Sequence, residues 1–176
     1  MDKFKNLIVL GPLIYAIHHF EEHIIFNFRE WRLKYFPDSN SIPTEAILAI
    51  LISLLLIFIF IHLVNNNRAS AHVVLYFLMT AQVVNAIFHI FFSFYFSDFS
   101  PGTVTAILLY LPINFIITRS AFRQGYLKSY FEYGCIAFLG TTTFVLFEII
   151  GPLIICLAII FSFMYFFYFN KRLSKN

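Results

Sequence analysis

The stretch Ile17-His18-His19-Phe20-Glu21-Glu22-His23-Ile24-Ile25 sets five ionisable side chains inside an apolar run. Leu7-Ile8-Val9-Leu10-Gly11-Pro12-Leu13-Ile14-Tyr15-Ala16 precedes it and Phe26-Asn27-Phe28 follows. The whole piece suffices to cross a bilayer, which takes about 20 predominantly apolar residues. An ionisable group at the centre of a membrane helix costs roughly 2.5–3.5 kcal/mol on insertion scales. Histidines and carboxylates kept at that cost either pair with buried partners or face a wet cavity. Lys3 and Lys5 before the apolar run give it the look of a secretory leader, but Ala16-Ile17-His18 supplies no small-x-small cleavage pattern. The segment therefore reads as a retained span.

The rest of the chain has the same character. Of its 176 residues 60% are hydrophobic and 12% charged, with a mean hydropathy of +0.81. Soluble domains carry about 25% charged residues, so this is the composition of a membrane protein. Its length suits one domain over residues 1–176. The 25 phenylalanines suit a surface that faces lipid. They argue against a disordered or nucleic-acid-binding chain. The net charge of +3 is read as loop and tail residues that orient the spans.

Six segments approach spanning length: 7–28, 46–64, 73–96, 103–120, 133–150 and 152–169. Only Gly151-Pro152 separates the last two, which is either a tight turn between helices or a kink in one. With six crossings, one side holds Lys3, Lys5, Arg68, Arg119, Arg123, Lys128, Lys171, Arg172 and Lys175, nine residues; the other holds Arg29, Arg32 and Lys34, three. Merging the last two spans gives six against six. Basic residues gather on the cytoplasmic side, so the expected fold is an all-α, polytopic bundle of about six spans. Both termini are then cytoplasmic, in the inner membrane of a bacterium. In the first loop Trp31, Tyr35 and Phe36 are expected to anchor at headgroup level or to form a lid, and Pro37-Asp38-Ser39-Asn40 to turn. Cys135 and Cys156 fall at different depths. They are expected to pack without pairing.

Helical spacing sorts the polar residues. Positions i and i+4 share a face, so His18 and Glu22 project together with Tyr15 and Gly11. Glu21 flanks that stripe, and His19 and His23 turn toward a different side. The third span carries Gln82, Asn85, His89 and Ser93 on one face, which should point into the bundle. The fourth offers Tyr110 and Asn114, and the fifth Gly134, Thr141 and Glu148. In this topology His18, Glu22 and His89 reach similar depths, with Glu148 near the outer end of its span. His62 and His72 fall on the cytoplasmic side.

Imidazole plus carboxylate is a mixed nitrogen and oxygen donor set suited to zinc, iron or manganese. His18, Glu22 and His89 would supply three donors, a common count for catalytic zinc, with Glu21 and Glu22 as the catalytic carboxylates, Glu21 either as general base or holding the ligands from behind. Gln82, Asn85, Tyr15 and Glu148 would support them. The pattern is not the zincin His-Glu-x-x-His.

His18-x-x-Glu21-Glu22, then Asn85-x-x-x-His89, then Phe99-Ser100-Pro101-Gly102, resembles the HXXEE-domain family of bacterial membrane proteins. That family is marked by H-x-x-E-E, N-x-x-x-H and Y-x-P-G motifs in this order. Phe99 stands where the last motif has tyrosine, which leaves Tyr95 or Tyr110 to supply that hydroxyl. The resemblance implies that His18, Glu21, Glu22, Asn85 and His89 form one site, with metal binding suggested by the motif, and it brings no established activity. Three functions then compete: a metal-dependent enzyme acting on a lipid or small apolar substrate, a transporter or proton-coupled carrier, and a structural polar core. A carrier needs a polar path to both faces, and the inner half offers only Thr80, Gln82, Asn114 and Thr118.

Overall fold

The computed structural model describes residues 3–37 and 42–173. The expected turn at Asp38-Ser39-Asn40 and the basic residue Lys175 lie outside them. All the regular structure among the described residues is helical, with no strand among them. A single turn, α1 (Phe4–Leu7), leads into α2 (Leu10–Phe20). This runs without a break into a π-helical turn at Glu21–Ile25. Then come α3 (Phe28–Tyr35) and α4 (Thr44–Asn65). The rest is α5 (Arg68–Tyr95), α6 (Thr103–Arg123), α7 (Tyr130–Ile150) and α8 (Leu153–Leu173).

Five helices, α4 to α8, are long and apolar enough to cross a membrane. The first segment is shorter than its hydropathy suggests. Eleven α-helical and five π-helical residues rise only about 24 Å at 1.5 Å each, against a hydrocarbon core of about 30 Å. Asn66 closes α4 in the left-handed conformation, at φ +46°, and Asn67 caps α5 by accepting the Ser70 N–H at 3.0 Å. Gly151 ends α7 at φ +90°, a conformation that favours glycine. Beyond Pro152, α8 starts as a separate helix, and both α7 and α8 pack on α5. Gly151-Pro152 therefore separates two helices.

The central element is α5. Close approach of neighbours to it depends on small residues, as is usual between membrane helices. A Cβ on Gly11 of α2 would meet Leu78 at 2.9 Å, and one on Gly140 of α7 would meet Met79 at 2.8 Å. The polar stripe of α5 faces inward: Gln82 and His89 are buried and Asn85 and Ser93 half-buried, while Ile87, Phe91 and Phe94 face outward. Cys135 and Cys156 are unpaired, as expected, but both are exposed on the outside of the bundle rather than packed.

The first loop takes the second of the two forms expected for it, a lid. It folds inward as α3, which Asn27 caps by accepting the Glu30 N–H. Trp31 is buried against Phe28 and Tyr35, and Tyr35 stacks on Phe96 with ring centroids 3.9 Å apart. Aromatic area of this size is worth more buried on α5 than at an interface. Helix α3 is a lid over the C-terminal end of α5.

Candidate metal centre

Three helices deliver the polar group, and each carries a π-helical stretch close to it: Glu21–Ile25, Met79–Val84 in α5 and Ala106–Tyr110 in α6. Such widened turns displace side chains from the α-helical register and recur at functional sites. At their meeting point Glu22 Oε1 lies 3.4 Å from His18 Nε2 and 2.9 Å from His89 Nε2. The His18 and His89 ring centroids are 5.1 Å apart. All three residues are buried, and their donor atoms lie within 4.8 Å of one another.

The far nitrogens of both rings are held by hydroxyls. His18 Nδ1 bonds to Thr105 Oγ1 at 2.7 Å, and His89 Nδ1 to Ser100 Oγ at 2.9 Å. Thr105 donates its own hydrogen to Gly102 O at 3.3 Å, so it accepts from His18 Nδ1–H. That tautomer gives His18 Nε2 a free lone pair on the Glu22 side. Asn85 Nδ2 also points to this lone pair, at 3.2 Å. This pattern, with one ring nitrogen anchored and the other aimed at a carboxylate, is that of metal-ligating histidine.

The fit to an ion rests on His89. Its Nε2 is wholly buried, lies 2.9 Å from Glu22 Oε1 and makes no well-formed hydrogen bond. If Nδ1 carries the proton, two lone pairs face each other. If Nε2 carries it, Glu22 Oε1 at 2.9 Å is the acceptor it faces. A buried polar atom left in this state calls for an unseen water or ion. A divalent cation among the three donors would satisfy His89 Nε2, take the place of the Asn85 contact on His18 Nε2 and neutralise the buried carboxylate, which is costly to bury uncompensated. The residues fit the group.

The turn before α6 closes the site. Gly102 has φ +97°, and a Cβ on it would meet His18 Cε1 at 2.8 Å, His89 Cε1 at 3.0 Å and Glu22 Cγ at 3.1 Å. Glycine is required here twice over, by conformation and by space. Glu21 fastens the same turn. Its Oε1 accepts N–H bonds from Gly102 at 3.1 Å and Val104 at 3.2 Å, and its Oε2 accepts from Thr105 at 2.7 Å. These are unpaired donors of a helix N-terminus, where a carboxylate is favoured. Glu21 was an expected general base, but both its oxygens are engaged by backbone.

The other expected residues separate. Gln82 lies below the group as a strut, its Nε2 donating to Gly11 O and its Oε1 accepting from Asn114, both at 2.8 Å. Tyr15 stacks on Tyr110, whose ring lies 4.3 Å from that of His18. Glu148 was expected to support the donors, but it pairs with Arg32 of the lid at 2.9 Å instead. Of the two substitute hydroxyls, Tyr95 is exposed, whereas Tyr110 OH is buried beside His18 and has no hydrogen-bond partner. His62 and His72 are bound elsewhere, to Ser70 and Tyr165.

A cavity of about 190 Å³ opens beside the group. Tyr15, His19, Glu22, His23 and Asn85 give it a polar floor, and Leu51, Phe77, Phe144 and Ile155 belong to its apolar walls. Sequence reasoning missed Thr105, Ser100 and the role of Gly102. The signal for the last two was the Ser-Pro-Gly motif; Thr105 carried none.

Fold and site together define an all-helical protein of membrane type with a buried His/Glu/His group able to hold an ion. The chain belongs to the family described as protein of unknown function with HXXEE motif, whose profile matches residues 9–117, more than half its length. That match takes in α2, α3, α4, α5 and most of α6, with all three donors. No curated protein and no solved structure matches the chain.

Proposed function

We propose that this chain is a single-domain, multi-pass protein of a bacterial inner membrane that holds a divalent ion and acts as an enzyme on a lipid or small apolar substrate. His18, Glu22 and His89 hold the ion, which is zinc, iron or manganese. The observation that carries the reading is His89 Nε2, buried and without a hydrogen bond among converging donors. When bound, such an ion supplies Lewis acidity and an activated water.

The chain's own residues do the rest. Thr105 and Ser100 fix the two rings, and Glu21 fixes the turn that carries both hydroxyls. Glu22 reaches the cavity as well as the histidines, so the proton-handling role passes to it from Glu21. Asn85 lines the same cavity. The apolar walls suit an alkyl chain, and the α3 lid keeps bulk water off the outer end. The filled Gln82–Gly11–Asn114 network below the group favours a one-sided site over a transporter's continuous path.

Six crossings with both termini cytoplasmic complete the proposal. α2 provides the crossing that the five long helices lack. Its support is that Val9, Leu10, Leu13, Ile17 and Phe20, all apolar, point outward, while Ile14 and His18 are buried. The Lys/Arg partition supports the sidedness.

Elemental analysis of purified protein tests the function. Wild type should retain a divalent metal through chelator washes. His18→Ala and His89→Ala should lose the ion of the buried group while keeping their helix content. A polar core without chemistry would show no metal in any form and lose stability in both variants.

A further inference from the structure

Glu22 uses its two oxygens on two different sides. Oε1 faces His18 and His89, while Oε2 has His23 Nε2 3.7 Å away, and both Glu22 and His23 line the cavity. On that second side His19, Glu22 and His23 again bring three donor atoms within 4.8 Å of one another. His19 and His23 stand one helical turn apart with ring centroids 4.2 Å apart. Both are half-buried and both line the cavity, which His18 and His89 do not.

From this we infer that Glu22 is a bridge between two cation sites: a buried one with His18 and His89, and an outer one with His19 and His23 that opens on the cavity. The inference rests on the proposed ion at the buried group, because the two sites share a ligand. Its own support is independent. Two adjacent imidazoles and a carboxylate oxygen form a second mixed donor set suited to the same divalent ions. The segment that builds it runs straight into the π-helical turn. The turn's own bond, Phe26 N–H to Glu21 O at 3.1 Å, reaches back five residues. This widened turn lets adjacent Glu22 and His23 approach each other rather than diverge as on an α-helix. A carboxylate bridging two ions is a recurring arrangement in hydrolytic two-metal sites, where the pair clamps a reacting oxygen. The outer ion is the one a cavity-bound substrate would meet. The buried ion would fix the bridging carboxylate from behind.

Full-length protein in detergent, stripped and reloaded with Co²⁺ alone, tests the inference by metal counting after dialysis and by electron paramagnetic resonance. Wild type should hold two ions per chain with magnetic coupling between them. The His19→Ala/His23→Ala variant should hold one, uncoupled, and should keep its fold because both sites are half-buried; helix content by circular dichroism checks this. The His18→Ala/His89→Ala variant reports on the buried site separately. If wild type and the His19→Ala/His23→Ala variant each hold one ion that His18→Ala/His89→Ala loses, the outer site is refuted and the buried one stands. If wild type holds two uncoupled ions, the bridge is refuted. If wild type holds none, both this inference and the function it rests on fall.

Discussion

Glu21 Oε2 accepts the Thr105 N–H at 2.7 Å, and this bond fastens the first helix to the start of α6. The same Thr105 holds His18 through its hydroxyl, so one carboxylate sets the position of a ligand on its own helix by way of another. Removing it should cost stability before chemistry. Glu21→Ala leaves three backbone N–H groups without their acceptor, and charged hydrogen bonds of this kind are worth roughly 1.5–3 kcal/mol. Thermal unfolding in detergent should show that loss, with the metal content of freshly folded protein retained. A variant as stable as wild type would show that the clamp contributes nothing.

Gly102 should tolerate no side chain. Gly102→Ala adds overpacking of about 1–3 kcal/mol to left-handed backbone strain of about 1–2 kcal/mol, and it pushes directly on His18, His89 and Glu22. Gly125 is the control. It too has positive φ, +76°, but nothing lies within 4 Å of its added Cβ. Metal analysis of the two variants should find loss in Gly102→Ala alone. Equal behaviour would mean that backbone strain, not contact with the donors, sets the outcome.

Thr105→Val and Ser100→Ala test the hydroxyls that orient the rings. Loss of such partners typically costs 10–100-fold in metal affinity. Competition with a coloured chelator should report that range for each, with folding intact. Unchanged affinity in both would remove the orienting role.

The lid gives a pH prediction. Tyr35 donates to Asp98 Oδ2 at 2.8 Å, and this bond above all holds the Asp98 carboxyl below the usual range. A depressed carboxylate contributes fully above its unfolded value of about 3.9 and loses that contribution as pH falls through the folded value. Hydrogen exchange in α3 should therefore be the same from pH 5 to 8 after correction for intrinsic rates. Asp98→Asn at neutral pH should loosen α3. Strong pH dependence of lid protection between 5 and 8 in wild type would assign its closure to some other group.

Reporter fusions test the crossings. A fusion at the C-terminus and another after Ile42 should report opposite sides of the membrane. Agreement between them removes the six-crossing topology.

Much of this was legible in the chain because burial in lipid leaves few choices. His18, Glu22 and His89 could be grouped by face and depth, and α5 could be oriented by its polar stripe. What was hidden had local causes. The π-helical turns follow no sequence period, so the approach of His23 to Glu22 could not be read from α-helical spacing. Thr105 and Ser100 act from a turn whose path depends on Glu21, far away in sequence. Glu148 lines the cavity beside the group, but a salt bridge to Arg32 of the lid claims it, and spacing cannot foresee such a competitor. The burial of Trp31 depends on Phe28, Tyr35 and Phe96, which no spacing in the first loop brings together.

The amide at Gln82 is also a mechanical tie. Its side chain is bonded at once to Gly11 of the first helix and to Asn114 of α6, so the two helices that carry the donors are pinned to each other and to α6 one layer away from them. The spacing of His18 and His89 is thereby set when the bundle folds, and an ion entering the group meets donors already in place.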